Sequence, residues 1–121
     1  MKSEAYVNFD YLKELTTGNT EGMIVMLKAY LEETPKLLND LKEGISSENW
    51  TAIKNAAHSM LPSFAMLGMK HEYEEMARQI QDLAAKNEDI RTIKELFAKL
   101  ESVCGKVMLE LQEELSNLGK K

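Results

Sequence analysis

Cysteine is almost absent from this chain: Cys104 is the only one, so no intramolecular disulfide can form and nothing asks for an oxidising compartment. Two prolines and six glycines in 121 residues leave little material for linkers or for the dense turns of an all-β fold. Strand signals are scarce too, because no stretch alternates apolar and polar positions with β-branched residues for long. Long apolar runs are missing: the longest near the N-terminus, Met23-Ile24-Val25-Met26-Leu27, is too short for a signal core or a membrane span. The cytoplasm is therefore the expected location, without membrane contact. An excess of basic charge is also lacking. The 15 Lys and Arg are scattered among 20 Asp and Glu, for a net charge of -5, which argues against nucleic acid as a partner. His58, His71 and one cysteine are too few for a zinc site. There is no Gly-rich phosphate loop and no Ser or Cys with an oriented His at a recognisable spacing. Turnover by this chain alone is not expected, nor is a metal or cofactor of its own.

What the chain does have is helical periodicity. With 44% hydrophobic and 29% charged residues it reads as a folded, helix-rich protein. Its length suits one domain, residues 1–121, able to bury a core without disulfides or metals. Phe9 to Leu15 reads as a short helix ending at Gly18, with Tyr11 or Leu12 and Leu15 turned inward. Asn19 or Thr20 can cap a long second helix, in which Met23, Leu27, Tyr30, Leu31, Thr34, Leu38, Leu41 and Ile45 recur at three- and four-residue steps. Pro35 predicts a bend there and not a break, since the apolar stripe continues across it. Ser47 is expected to cap a third helix that begins at Glu48 and ends at Gly68. A fourth helix, about residues 70 to 86, buries Tyr73, Met76, Ala77, Ile80, Leu83 and Ala84. A fifth, from about Asp89, carries an apolar stripe from Ile93 to Leu118 that includes Cys104. Short connections make successive helices antiparallel neighbours. The predicted fold is all-α: an antiparallel up-down-up-down four-helix bundle with a short extra N-terminal helix.

On the third helix, one residue every 100° gathers Trp50, Ile53, Ala57, Met60, Leu61, Phe64 and Leu67 into an apolar arc. His58 lies about 130° from the centre of that arc by the same count. It shares its strip with Thr51, Lys54, Asn55, Pro62 and Ala65, and so is expected to face solvent. An imidazole held in the open keeps a neutral, nucleophilic fraction near neutral pH and can accept a phosphoryl group. Met66 flanks the same strip, away from the arc, and is a candidate partner contact. Pro62 has no N–H, so the His58 carbonyl loses its helical donor and a bend is expected there. His71, at the start of the fourth helix with no apolar collar, is expected to be a surface residue.

The run Ala56-Ala57-His58-Ser59-Met60-Leu61-Pro62-Ser63-Phe64-Ala65-Met66-Leu67-Gly68 resembles the signature of the histidine-containing phosphotransfer (HPt) domain, A-H-x-L-K-G-S-S-x-x-L-G. The similarity extends to the short first helix ending in a glycine, to Glu32-Glu33-Thr34-Pro35-Lys36-Leu37-Leu38, to Asn49-Trp50 before the histidine helix, and to the closing helix pair. This resemblance implies that His58 is a phosphoacceptor, taking a phosphoryl group from the Asp of one response-regulator receiver domain and passing it to another. It further implies a relay containing a hybrid sensor histidine kinase, with the receiver supplying the metal ion and the groups around the transferring phosphoryl. The chain would then be a cytoplasmic, monomeric phosphocarrier and not an enzyme in its own right.

Two positions depart from the signature: Leu61 stands where the family has Lys, and Pro62 where it has Gly. The family Lys helps balance phosphate charge, and Lys54, one turn before His58, is the nearest cationic substitute by spacing. Pro62, Ala65 and Met66 would form a compact apolar collar that docks a receiver's helix. The family often sets a Gln from the next helix beside the ring. Gln81, at the margin of the fourth helix's apolar stripe, is the expected counterpart, with Gln79 on the other side. The same two departures sustain an alternative, an HPt-shaped interaction module that has lost phosphotransfer.

Overall fold

The computed structural model describes residues 5–119. Within them the regular elements are all α-helices: α1 (Asp10–Leu15), α2 (Thr20–Ser46), α3 (Trp50–Met66), α4 (His71–Ala85) and α5 (Ile90–Gly119). Each long helix packs on the next, and α5 returns to α2, so four helices close an antiparallel ring. The periodicity leads to this arrangement directly, because every helix carries one apolar stripe that must be covered. Leu27, Leu41, Ile53, Met60, Ile80, Ile93, Leu100 and Leu111 are fully buried along the axis of the ring. Each contributes about 1.5–3 kcal/mol of transfer free energy. No polar or charged residue is buried with them among the described residues.

The corners show how each helix is started and stopped. At the end of α2, the Ser47 hydroxyl donates to the Glu43 carbonyl at 2.9 Å. The Asn49 N–H then closes on the Gly44 carbonyl at 2.8 Å, with Glu48 left-handed at φ +50°. Ser47 and Glu48 are thus consumed in ending α2, and the expected Ser47 cap of α3 is corrected to Asn49. The Asn49 side chain accepts from the Ala52 N–H at 3.1 Å. Asn19 caps α2 by accepting from the Gly22 N–H at 2.8 Å. Asp89 caps α5 through the Thr92 N–H and hydroxyl at 3.2 and 2.8 Å. Both prolines lie inside unbroken helices and are exposed, so the backbone hydrogen bonds they remove are lost towards solvent.

The ring is uneven in height. α2 and α5 have 27 and 30 residues against 17 and 15 for α3 and α4. At 1.5 Å per residue the long pair outreaches the short pair by roughly 15–20 Å. That excess lies at the end where α3 turns into α4. The chain before α2 packs against this end, with Val7 and Leu12 buried in the core. The Asn8 N–H bonds the Leu67 carbonyl at 2.9 Å, and the Tyr6 ring lies 5.8 Å from that of Tyr73 with Lys106 Nζ 5.8 Å from its centroid. Leu12 alone is the inward residue of α1. Tyr11 is 48% and Leu15 47% exposed, so Leu15 is not the second inward residue that the i,i+3 spacing predicts.

Candidate functional site

The inner face of α3 is set by Ile53, Ala56, Ala57, Met60 and Phe64, all buried, which fixes the rotation of the helix. His58 follows two buried alanines and lies on the exposed side with Asn55, Pro62 and Ala65. Small side chains at 56 and 57 let α3 sit close to its neighbours without tilting the histidine inward. Among the described residues no hydrogen bond or ion pair engages the His58 ring. Its two nitrogens are thus open to a partner from outside the chain.

Lys54, one turn before His58, is half-buried and forms no ion pair among the described residues. Pro62 and Ala65 are exposed, whereas Met66, expected away from the apolar arc, is half-buried at the end of α3 and packs in part against the core. The structure therefore brings Lys54, His58, Pro62, Ala65 and Met66 onto one side of α3. Leu61 is half-buried and packs against the core, so the position at which the signature carries Lys is turned towards the core. Gln81, half-buried on α4, stands about as far beyond the α3–α4 corner as His58 stands before it. No hydrogen bond joins the two among the described residues. Arg78, the nearest α4 cation in sequence, is engaged by Glu74 at 2.9 Å and Glu75 at 3.4 Å. His71 is exposed at the head of α4, with Nε2 3.2 Å from Glu75, as its surface assignment requires.

A groove that periodicity does not point to runs beside the histidine, between α2 and α3. It is open, encloses about 410 Å³, and is lined in part by Leu37, Asp40, Glu43, Asn55, Ala56 and Ser59. Ser59 thus faces α2, away from the histidine strip. The antiparallel register about Glu48, which sets Leu37 and Asp40 level with residues near His58, was the signal available in the sequence.

Other nucleophiles are withdrawn. Burial pushes the Cys104 thiol up to about 12, so almost no thiolate forms at neutral pH. Burial also raises the Tyr30 phenol from its ordinary value. Among the described residues no group of three or more His, Cys, Asp or Glu could hold a metal ion, and no helix is long and apolar enough to cross a membrane.

The described residues thus form an antiparallel four-helix bundle with one unengaged imidazole, that of His58, exposed in the middle of α3. The family model of the Hpt domain matches residues 25–121, and the chain belongs to that family. Hpt domains are phosphocarriers, not stand-alone catalysts, and act with receiver domains and histidine kinases in two-component phosphorelays. The match takes in α3, α4 and α5 and all but the start of α2. No curated protein and no solved structure matches the chain.

Proposed function

We propose that this chain, a single domain over residues 1–121, is a monomeric cytoplasmic phosphocarrier that relays a phosphoryl group between receiver-domain aspartates through His58. The observation that carries this reading is the exposed, unengaged imidazole of His58 on a rigid helix of an Hpt bundle. In the forward step a ring nitrogen lone pair attacks the phosphorus of a receiver's aspartyl phosphate. A P–N bond forms, the acyl P–O bond breaks, and the aspartate leaves as carboxylate. The reverse sequence on a second receiver restores the free imidazole. Because a phosphoryl transition state demands mainly positioning and charge stabilisation, this chain's own part is to hold the nitrogen in place and to dock the receiver. Lys54 offsets part of the phosphoryl charge, Pro62, Ala65 and Met66 contact the receiver, and Gln81 orients the ring when the receiver is bound.

The test is direct. Receiver domains from the source genome, labelled with radioactive acetyl phosphate, are mixed with the wild-type protein and with His58→Gln. The expected result is an acid-labile, base-stable label on the wild type alone. No label at His58 from any of these receivers would overturn the reading in favour of an interaction module, for which Leu61 and Pro62 are the sequence argument.

A further inference from the structure

We propose that the main-chain carbonyl of His58, left without its helical donor by Pro62, is a hydrogen-bond acceptor through which the docking receiver is recognised. This rests on the relay reading above and assigns to Pro62 a part beyond apolar contact. In a regular helix the carbonyl of residue i accepts from the N–H of residue i+4. For His58 that residue is Pro62, which has no N–H, and α3 nevertheless continues as helix to Met66. Among the described residues no side chain donates to the His58 oxygen; the side-chain donors to backbone carbonyls lie at Thr16, Thr17 and Ser47. Both His58 and Pro62 are exposed, one turn apart on the outer strip of α3.

The placement gives this oxygen its meaning. Helix side chains lean towards the N-terminus while carbonyls point towards the C-terminus. The imidazole and its own carbonyl therefore diverge along the same outer strip, within about one 5.4 Å turn of each other. A receiver that brings its aspartyl phosphate to the ring must cover the surface around it. A hydrogen-bond donor on that receiver can then bond the carbonyl whose i+4 donor Pro62 removes. Unlike the collar formed by Ala65 and Met66, this contact is directional. It fixes the rotation of the receiver about the point of transfer, and it is unavailable wherever residue 62 carries an N–H.

Pro62→Val and Pro62→Ala both restore the donor, and only the first keeps comparable apolar bulk. Both remove a helix-interior proline, so neither is expected to impair folding. Transfer from acetyl-phosphate-labelled receivers is measured over a range of receiver concentrations, beside labelling of His58 by phosphoramidate, a small donor that makes no docking contact. The expected result is a rise in KM for the phosphorylated receiver of roughly fivefold in both variants, the effect of one neutral hydrogen bond. The ratio of receiver-driven to phosphoramidate-driven labelling falls by the same factor. If Pro62→Val matches wild type while Pro62→Ala is impaired, the ring acts by contact alone and the proposal fails. It also fails if both variants change phosphoramidate labelling as much as receiver transfer, since Pro62 would then act on the imidazole itself. Phosphoramidate labelling of a wild type that accepts from no receiver would remove the relay reading and this inference with it.

Discussion

Glu110 on α5 holds Tyr6, 104 positions earlier in the chain: its carboxylate oxygens accept the Tyr6 N–H at 3.0 and 2.9 Å, and Oε1 also accepts the Val7 N–H at 2.9 Å. This one side chain satisfies two backbone donors of a segment that has no helix or sheet to satisfy them. It thereby fastens the N-terminal segment across the end at which α2 and α5 outreach the short helices.

Glu110→Ala should therefore loosen that end without touching the histidine strip. Hydrogen bonds to a charged group contribute about 1.5–3 kcal/mol each, with partial recovery by water at a part-exposed site. We expect a loss of roughly 2 kcal/mol, seen as a melting temperature lower by several degrees. Amide exchange at Tyr6 and Val7 should accelerate far more than exchange at Ile53 or Leu100. Uniform acceleration at all four amides would show that the segment is not separately fastened.

Gly68→Ala should cost more than Gly18→Ala, although both glycines have positive φ, +62° and +76°. A Cβ at Gly68 would lie 2.6 Å from the Asn8 carbonyl oxygen, whereas nothing lies within 4 Å of one at Gly18. The backbone penalty of about 1 kcal/mol is common to both. At Gly68 the added carbon must also push the N-terminal segment away from the α3–α4 corner. Denaturant titration should place Gly68→Ala at least about 1 kcal/mol below Gly18→Ala. Equal midpoints would mean that the segment yields freely.

The bundle was legible in the sequence because each helix has its own stripe, and stripes are local. His58 was legible for the same reason: its outward direction follows once Ile53, Ala57, Met60 and Phe64 face inward. Ala56 and Leu37, buried at the edges of their stripes, were less so, because edge positions depend on how closely neighbouring helices approach. The cap of α3 was misplaced because Ser47 and Asn49 are both good caps, and only the closure of α2 decides between them. The fastening of Tyr6 by Glu110 left no local trace, since its partners are separated by most of the chain. The groove beside His58 belongs to two helices at once and needs their register to be seen.

Cys104 supplies a prediction in pH. Its thiol rises from an ordinary 9.0 to about 12 through burial, so the folded state keeps a proton that the unfolded state releases. Stability from this group is full below pH 9 and declines as pH rises through the window from about 9 to about 12. Its slope is at most about 1.4 kcal/mol per pH unit. Chemical denaturation of Cys104→Ser compared with wild type at pH 8 and pH 10.5 should show the stability gap narrowing at the higher pH. A thiol reagent at pH 8 should react with native protein only at the rate of unfolding. Rapid modification of the folded chain would contradict the burial that raises the thiol.

Lys54 tests whether the missing signature cation has been replaced. It lies one turn before His58, on the same side of α3, with no ion pair among the described residues to hold its charge elsewhere. An amine at that spacing can attract a phosphoryl group on the ring, but at a partly solvated site the gain is on the order of 1 kcal/mol or less. Lys54→Gln should accordingly slow single-turnover transfer from a phosphorylated receiver by roughly two- to fivefold, while Lys54→Arg retains most of the rate. The difference between wild type and Lys54→Gln should shrink as salt is raised, because screening acts over about 10 Å at 0.1 M ionic strength. A difference that persists at high salt would point to packing by the lysine stem. No difference at low salt would leave the phosphoryl charge to the receiver alone, so that the inward-turned Leu61 has no cationic substitute on this helix.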